Sequence, residues 1–338
     1  MEKFPDNIEK LLIENYDCIK VSNGLECMKF VLDFIAHTDS VTDIDPIQVK
    51  CLTKVASHII DSETYLKIFG LNSEDKLIPF LERVYWYNFD GACDIEFSDI
   101  KKDNAEIEKI KSHFLGHAAK IAGKLFDKTN ELKWAISYYN AEISSAKISE
   151  NFDRFHSFHA YSLGANIARK IYSLTKDIDW ALKSYDAQMS SSKISESFDT
   201  RHCGFSLGFA ADIAHTIFKS TKDLDWAKKA YNCYVSGAKL LTSFKPNCCA
   251  YFYYHAGEIA QNIYNQSKEP TWKDNSINGY NECISNIEKR KLKDISHLIC
   301  SSQKKIDELN CVPKEEVLTS TTFSLRTAFE KALDNSSK

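Results

Sequence analysis

The 338-residue chain holds 11 Gly and 6 Pro. That is under half of the ~12% these two usually contribute, and it excludes turn-rich all-β folds and glycine-rich nucleotide loops. A hydrophobic share of 43% with 27% charge excludes a disordered chain, and a net charge of −4 gives no electrostatic basis for general nucleic-acid or anionic-membrane binding.

The first residues, Met1 to Asn7, carry no apolar core of the kind a secretory leader needs. No apolar run approaches the roughly 18 residues of a membrane span. The eleven cysteines are odd in number and never spaced C-x-x-C, a pattern of reduced, mostly buried thiols that predicts a cytoplasmic protein. Neighbours on a helix point about 100° apart, so Cys248 and Cys249 do not converge on a metal. Residues 6–20, 22–37, 45–60, 62–70 and 73–88 carry helical patterns, broken at Ser22-Asn23, Asp45-Pro46 and Ser73. This stretch, 1–100, reads as a helical N-terminal cap or as degenerate repeats. Its last part, 88–100, contains Gly91 and reads as a connection.

Beyond it the tryptophans set a register. Trp134, Trp180, Trp226 and Trp272 are each 46 residues apart, the spacing of a repeat array. The same step aligns Ile121, Ile167, Ile213 and Ile259. It aligns Ala118, Gly164, Ala210 and Ala256, then Ala122, Ala168, Ala214 and Ala260, then Leu125, Ile171, Ile217 and Ile263, then Phe126, Tyr172, Phe218 and Tyr264. Within a repeat these columns fall at i, i+3, i+4, i+7 and i+8, one face of a helix. A second helix follows, with Asp177-Ile178-Asp179-Trp180 and Asp223-Leu224-Asp225-Trp226 at its start. The acidic column Glu131, Asp177, Asp223, Glu269 is placed at its N-cap, where a carboxylate accepts from free N–H groups. Pro270 then takes the first helical position. Pro246 does the same for the first helix, after the column Asp153, Asp199, Lys245. Each repeat is thus a helix of roughly 22 residues, a short turn, and a helix of roughly 18. The fourth repeat departs from register, its Tyr280 falling three residues late.

These hairpins, with Leu163-Gly164 and small residues early in the first helix and a Trp-Ala…Tyr motif in the second, resemble tetratricopeptide repeats. The resemblance covers about 109–290, and the period is 12 residues longer than that family's usual 34. It implies an all-α fold: a right-handed α-solenoid of antiparallel helix pairs, with helical N- and C-terminal caps. The array is expected to span 101–310, with 292–310 a closing helix over the last apolar face. Residues 311–338 read as a linker with Pro313 followed by an amphipathic helix over 323–334.

No Walker loop, dinucleotide fingerprint or H-E-x-x-H motif is present. His113 and His117 are spaced i, i+4, but two ligands do not make a metal site. His117 moreover shares a column with Leu163, Phe209 and His255, read as partly buried. The recurring tryptophans read as core packing and not as a stacking platform for bases. No enzyme, cofactor or metal is expected.

Specificity should reside in the columns that vary. On the first helix these are Lys120, Asn166, Asp212, Glu258; one turn on, Gly123, Arg169, His215, Gln261; and near the helix start, His113, His159, Phe205, Tyr251. The resemblance implies that first helices line a concave groove, which makes this face the candidate ligand surface. Its first column passes from cationic to anionic along the stack, as an extended ligand with charges of both signs would require. The expected partner is a protein or peptide, with no nucleic acid and no membrane. A second reading, a small-molecule sensor or enzyme with a pocket between the N-terminal helices and the groove, stays open.

Overall fold

The structure, a computed structural model, describes residues 73–94 and 104–311. Among them there is no strand. Ten helices follow one another: α1 (Glu74–Asp94), α2 (Asn104–Thr129), α3 (Leu132–Ser149), α4 (Arg154–Thr175), α5 (Ile178–Ser195), α6 (Thr200–Thr221), α7 (Leu224–Leu241), α8 (Pro246–Ser267), α9 (Pro270–Arg290) and α10 (His297–Asn310). A 3-10 turn, Lys293–Ile295, precedes the last. The chain forms two compact units, divided between Lys222 and Asp223. In the first, α1 to α6 pack each on the next in sequence; in the second, α7 to α10 do the same. Each unit is therefore an all-α stack of helical hairpins, a solenoid in which contacts run between neighbours. Residues 1–72 and 312–338 lie outside the described residues, and with them the expected early helices, the linker and the 323–334 helix.

The helix starts follow from local chemistry. Asp177 and Asp223 accept from the backbone N–H of Asp179 and Asp225 at 3.1 and 2.9 Å. Asp153 accepts from His156 N–H, and Asp199 from Arg201 and His202 N–H. Glu131, Lys245 and Glu269 make no such bond. Glu131 is drawn instead to Lys133, 2.7 Å away, and Pro246 and Pro270 remove a donor at the first helical positions. Each hairpin turn passes through one left-handed residue: Asn130, Lys176, Lys222 and Lys268 have φ between 54 and 60°. A hydroxyl just before it accepts from the residue just after it. Thr129, Thr175 and Ser267 accept from the N–H of Glu131, Asp177 and Glu269.

Burial follows the aligned columns. Ala122, Ala168, Ala214 and Ala260 are fully buried, as are Leu125, Ile171, Ile217 and Ile263. Small residues let backbones approach, and serines tie them. Ser184 Oγ donates to Ala165 O at 2.7 Å, and Ser276 Oγ to Gly257 O at 2.8 Å. Ser145 Oγ donates to Ser112 O at 2.8 Å. The core of the first unit joins Leu81, Val84 and Tyr85 of α1 to Ile121, Leu125, Trp134, Ile171 and Trp180.

The structure corrects several expectations. Helix α1 runs on through Gly91 to Asp94, so 88–94 is helix and not connection. The buried Asn88 amide donates to Val84 O along the helix, and Phe89 packs on the core, which carries the helix past Trp86. Leu163 and Phe209, expected to be partly buried, are each 44% exposed. They stand one residue, about 100°, off the buried Gly164 and Ala210 column. Most of the described thiols are buried as expected, Cys203, Cys233, Cys249 and Cys283 among them; Cys300 on α10 and Cys311 just after it are exposed. Tyr280 is displaced because it occupies another column, Glu142, Gln188, Tyr234 and Tyr280, buried throughout. Its ring lies where a Cβ on Gly257 would stand, 2.9 Å away.

Candidate functional site

The candidate residues lie on α2, α4 and α6 in the first unit and, taken separately, on α8 in the second. His113, Lys120, His159, Asn166, Arg169 and Asp212 are exposed there, and Phe205 and His215 are half-buried. In the second unit Tyr251 is exposed, while Glu258 and Gln261 are half-buried. Glu258 sits 2.9 Å from the Nδ1 of His255, and Gln261 accepts from the Tyr280 hydroxyl at 3.1 Å.

Arg169 and Asp212 come together. They line one cleft of about 110 Å³ with Tyr172 of α4, Ala181 and Ser184 of α5, and Ile213 and Thr216 of α6. Arg169 makes one long bond, 3.5 Å, to Asn166 Oδ1. Tyr172 and Ser220 hydroxyls meet at 3.0 Å and tie α4 to α6 beside it. Thr216 Oγ1 donates back to Asp212 O. The cleft thus offers a guanidinium, a carboxylate and hydroxyls over an apolar floor, groups that can orient a small polar moiety.

The other helix ends gather rings. His159 of α4 lies 4.4 Å from Phe155 and 6.4 Å from His202 of α6, with Phe158 and Phe198 between and beside them. Phe155 is 58% exposed. Burial lowers the affinity of His159 for a proton, and the His202 ring adds to that. His156 is lowered by burial too, with Asp153 opposing and His113 and His159 reinforcing. His202 Nδ1 contacts Asp199 at 2.6 Å. The His202 backbone N–H, then its ring, and the Arg201 N–H hold the Asp199 carboxyl below the ordinary range against the opposing effect of burial.

His156 Nε2 meets Ser145 Oγ at 2.9 Å. Ser145 Oγ is also 2.8 Å from Ser112 O, which accepts from it, and this serine is fully buried. No group of three metal-ligating side chains occurs among the described residues, and none of their helices is long and apolar enough to cross a membrane. The pocket expected between the N-terminal helices and the groove lies outside the described residues.

Sequence reasoning missed Tyr172 and Thr216 as cleft residues and the Phe155, Phe158, Phe198, His202 cluster. The pair His156 and His202, one repeat step apart, carried the available signal.

No family model and no curated protein matches the chain. Among solved structures it is similar to a DHF119 filament, at 13% identity and TM-score 0.22 over 73% of this chain and 96% of that one. It is also similar to a de novo designed helical repeat protein, DHR64, at 12% identity and TM-score 0.19 over 79% of this chain and 99% of that one.

Proposed function

We propose that the chain is a non-enzymatic interaction scaffold that holds a peptide or partner protein along the exposed face of α2, α4 and α6. One observation carries this reading. The buried columns of the three helices are nearly invariant, while the exposed ones change from Lys120 to Asn166 to Asp212, and the cleft at Arg169 opens among them. Packing explains repetition, whereas variation on one exposed face is what recognition needs. The hairpin pattern resembles tetratricopeptide repeats, whose first helices line the ligand groove. The change in charge sign along the face favours an extended ligand with both signs, in the cytoplasm.

The test is to select peptides from a displayed random library on the whole chain and measure their Kd. The double variant Lys120→Glu, Arg169→Glu should bind them at least about 3- to 10-fold more weakly, with the difference shrinking as salt rises. Circular dichroism should stay unchanged, since exposed substitutions shift stability by less than about 0.5 kcal/mol. Equal affinities for wild type and variant would remove this face from the account.

A further inference from the structure

The cleft at Arg169 is small and carries both signs of charge. Its volume of about 110 Å³ equals roughly four waters at ~30 Å³ each, so it takes the head of one side chain and not a whole residue. Arg169 brings N–H donors and no acceptor. Its bond to Asn166 Oδ1 is exposed and long, 3.5 Å, so the guanidinium can turn to a better acceptor. Around it stand acceptors. Asp212 presents a carboxylate with about four lone-pair sites. Thr216 Oγ1 has given its one proton to Asp212 O, and Ser184 Oγ its own to Ala165 O, so neither hydroxyl donates to a ligand. Ala181 and Ile213 supply the apolar floor.

These groups exclude most ligand heads. A carboxylate or phosphate would meet Asp212, and an ammonium or guanidinium would meet Arg169. An apolar head would take both charges out of water without a partner. A carboxamide satisfies the set. Its oxygen accepts from Arg169, its NH2 donates to Asp212, and its plane lies on Ala181 and Ile213. With its methylene it is the size of about four waters, as the cleft requires. We propose that this cleft seats the side-chain carboxamide of an Asn or Gln in the bound peptide, which rests on the scaffold reading above. The cleft then selects by hydrogen-bond pattern, because each rejected head leaves a charge repelled or unpaired.

Peptides selected from a displayed random library on the whole chain should share an Asn or Gln at one position. Synthetic analogues then change that residue to its acid, Asn to Asp or Gln to Glu. The change keeps size and shape and replaces the donor NH2 by an anion facing Asp212. The acid analogue should bind wild type at least ~10-fold more weakly than the amide. The variant Asp212→Asn should reverse that order, because its own amide donates to the acid, with helicity unchanged by circular dichroism. Suppose selected peptides lose affinity on Arg169→Glu yet share no Asn or Gln, bind equally as amide and acid, or keep the same order in Asp212→Asn. Any of these results would overturn the proposal and leave the scaffold reading standing. A library that yields no binder would overturn both. Displacement of a bound peptide by millimolar glycine and not by propionamide would assign the cleft to a free amino acid and overturn the proposal as well.

Discussion

Tyr139 on α3 meets Trp180 on α5 edge to face, with ring centroids 5.2 Å apart and planes at 86°. The second unit repeats the arrangement in Tyr231 and Trp272, at 5.3 Å and 86°. One hairpin earlier in the first unit, Tyr85 of α1 meets Trp134 of α3 at 5.2 Å and 79°. The hydrogen-bearing ring edge faces the electron-rich ring face, and the indole closes the gap between successive hairpins. A double-mutant cycle of Tyr139→Leu and Trp180→Leu should give a coupling of about 0.5–1.5 kcal/mol in urea unfolding. Additive losses would mean that the rings share only burial.

The two close helix crossings should respond unequally to an added methyl. A Cβ on Gly279 would meet the backbone of Gly257 at 2.8 and 2.9 Å and Tyr253 O at 3.0 Å. A Cβ on Gly164 would meet Ile143 Cδ1 at 2.7 Å, a side-chain end that can rotate away. Gly279→Ala should therefore cost at least ~2 kcal/mol and Gly164→Ala less than half of that, by urea midpoints. Ala168→Leu, at a fully buried contact, belongs with the first and should cost about 1–3 kcal/mol.

Turn chemistry separates two acidic caps. Asp177 accepts from Asp179 N–H, whereas Glu269 makes no side-chain cap bond. Asp177→Ala should lose about 1 kcal/mol and Glu269→Ala only a few tenths. Lys176→Gly should instead gain up to ~1 kcal/mol, because φ of 59° strains a side-chain-bearing residue. Thermal melts of the three variants give the order directly.

Glu142 is buried, and that burial pushes its carboxyl up to about 8. In the unfolded chain it ionises near its ordinary value of 4.5. Between the two the folded state binds the extra proton, so stability from this group is complete below the lower value and is lost as pH rises to the upper one. Wild type should lose more than about 1 kcal/mol relative to Glu142→Gln between about pH 5 and about pH 9. Parallel pH profiles for the two proteins would show that Glu142 does not titrate in this way.

The hairpins were legible because their signals are local and repeated. A Trp at one step of each second helix, an alanine column beneath it and an Asp at the cap each recur often enough to be read against one another. What escaped was either singular or brought together by packing. Gly91 looks like a turn, yet α1 passes through it. Glu142 and Gln188 look like surface, and both are buried in the column that Tyr280 completes. Asp212 and Arg169 stand in variable columns on separate helices. Their shared cleft depends on how α4, α5 and α6 stack, which no single-helix pattern encodes.

The central claim is that ligands lie along the exposed face of α2, α4 and α6. Photo-cross-linking tests it most directly: a library-selected peptide carrying benzophenone is irradiated with the whole chain, and the adducts are mapped by mass spectrometry. The account predicts adducts at and around Lys120, Asn166, Arg169, Asp212 and Thr216, lost on competition with unlabelled peptide. Adducts confined to α9 and α10, or to residues 1–72, would contradict it.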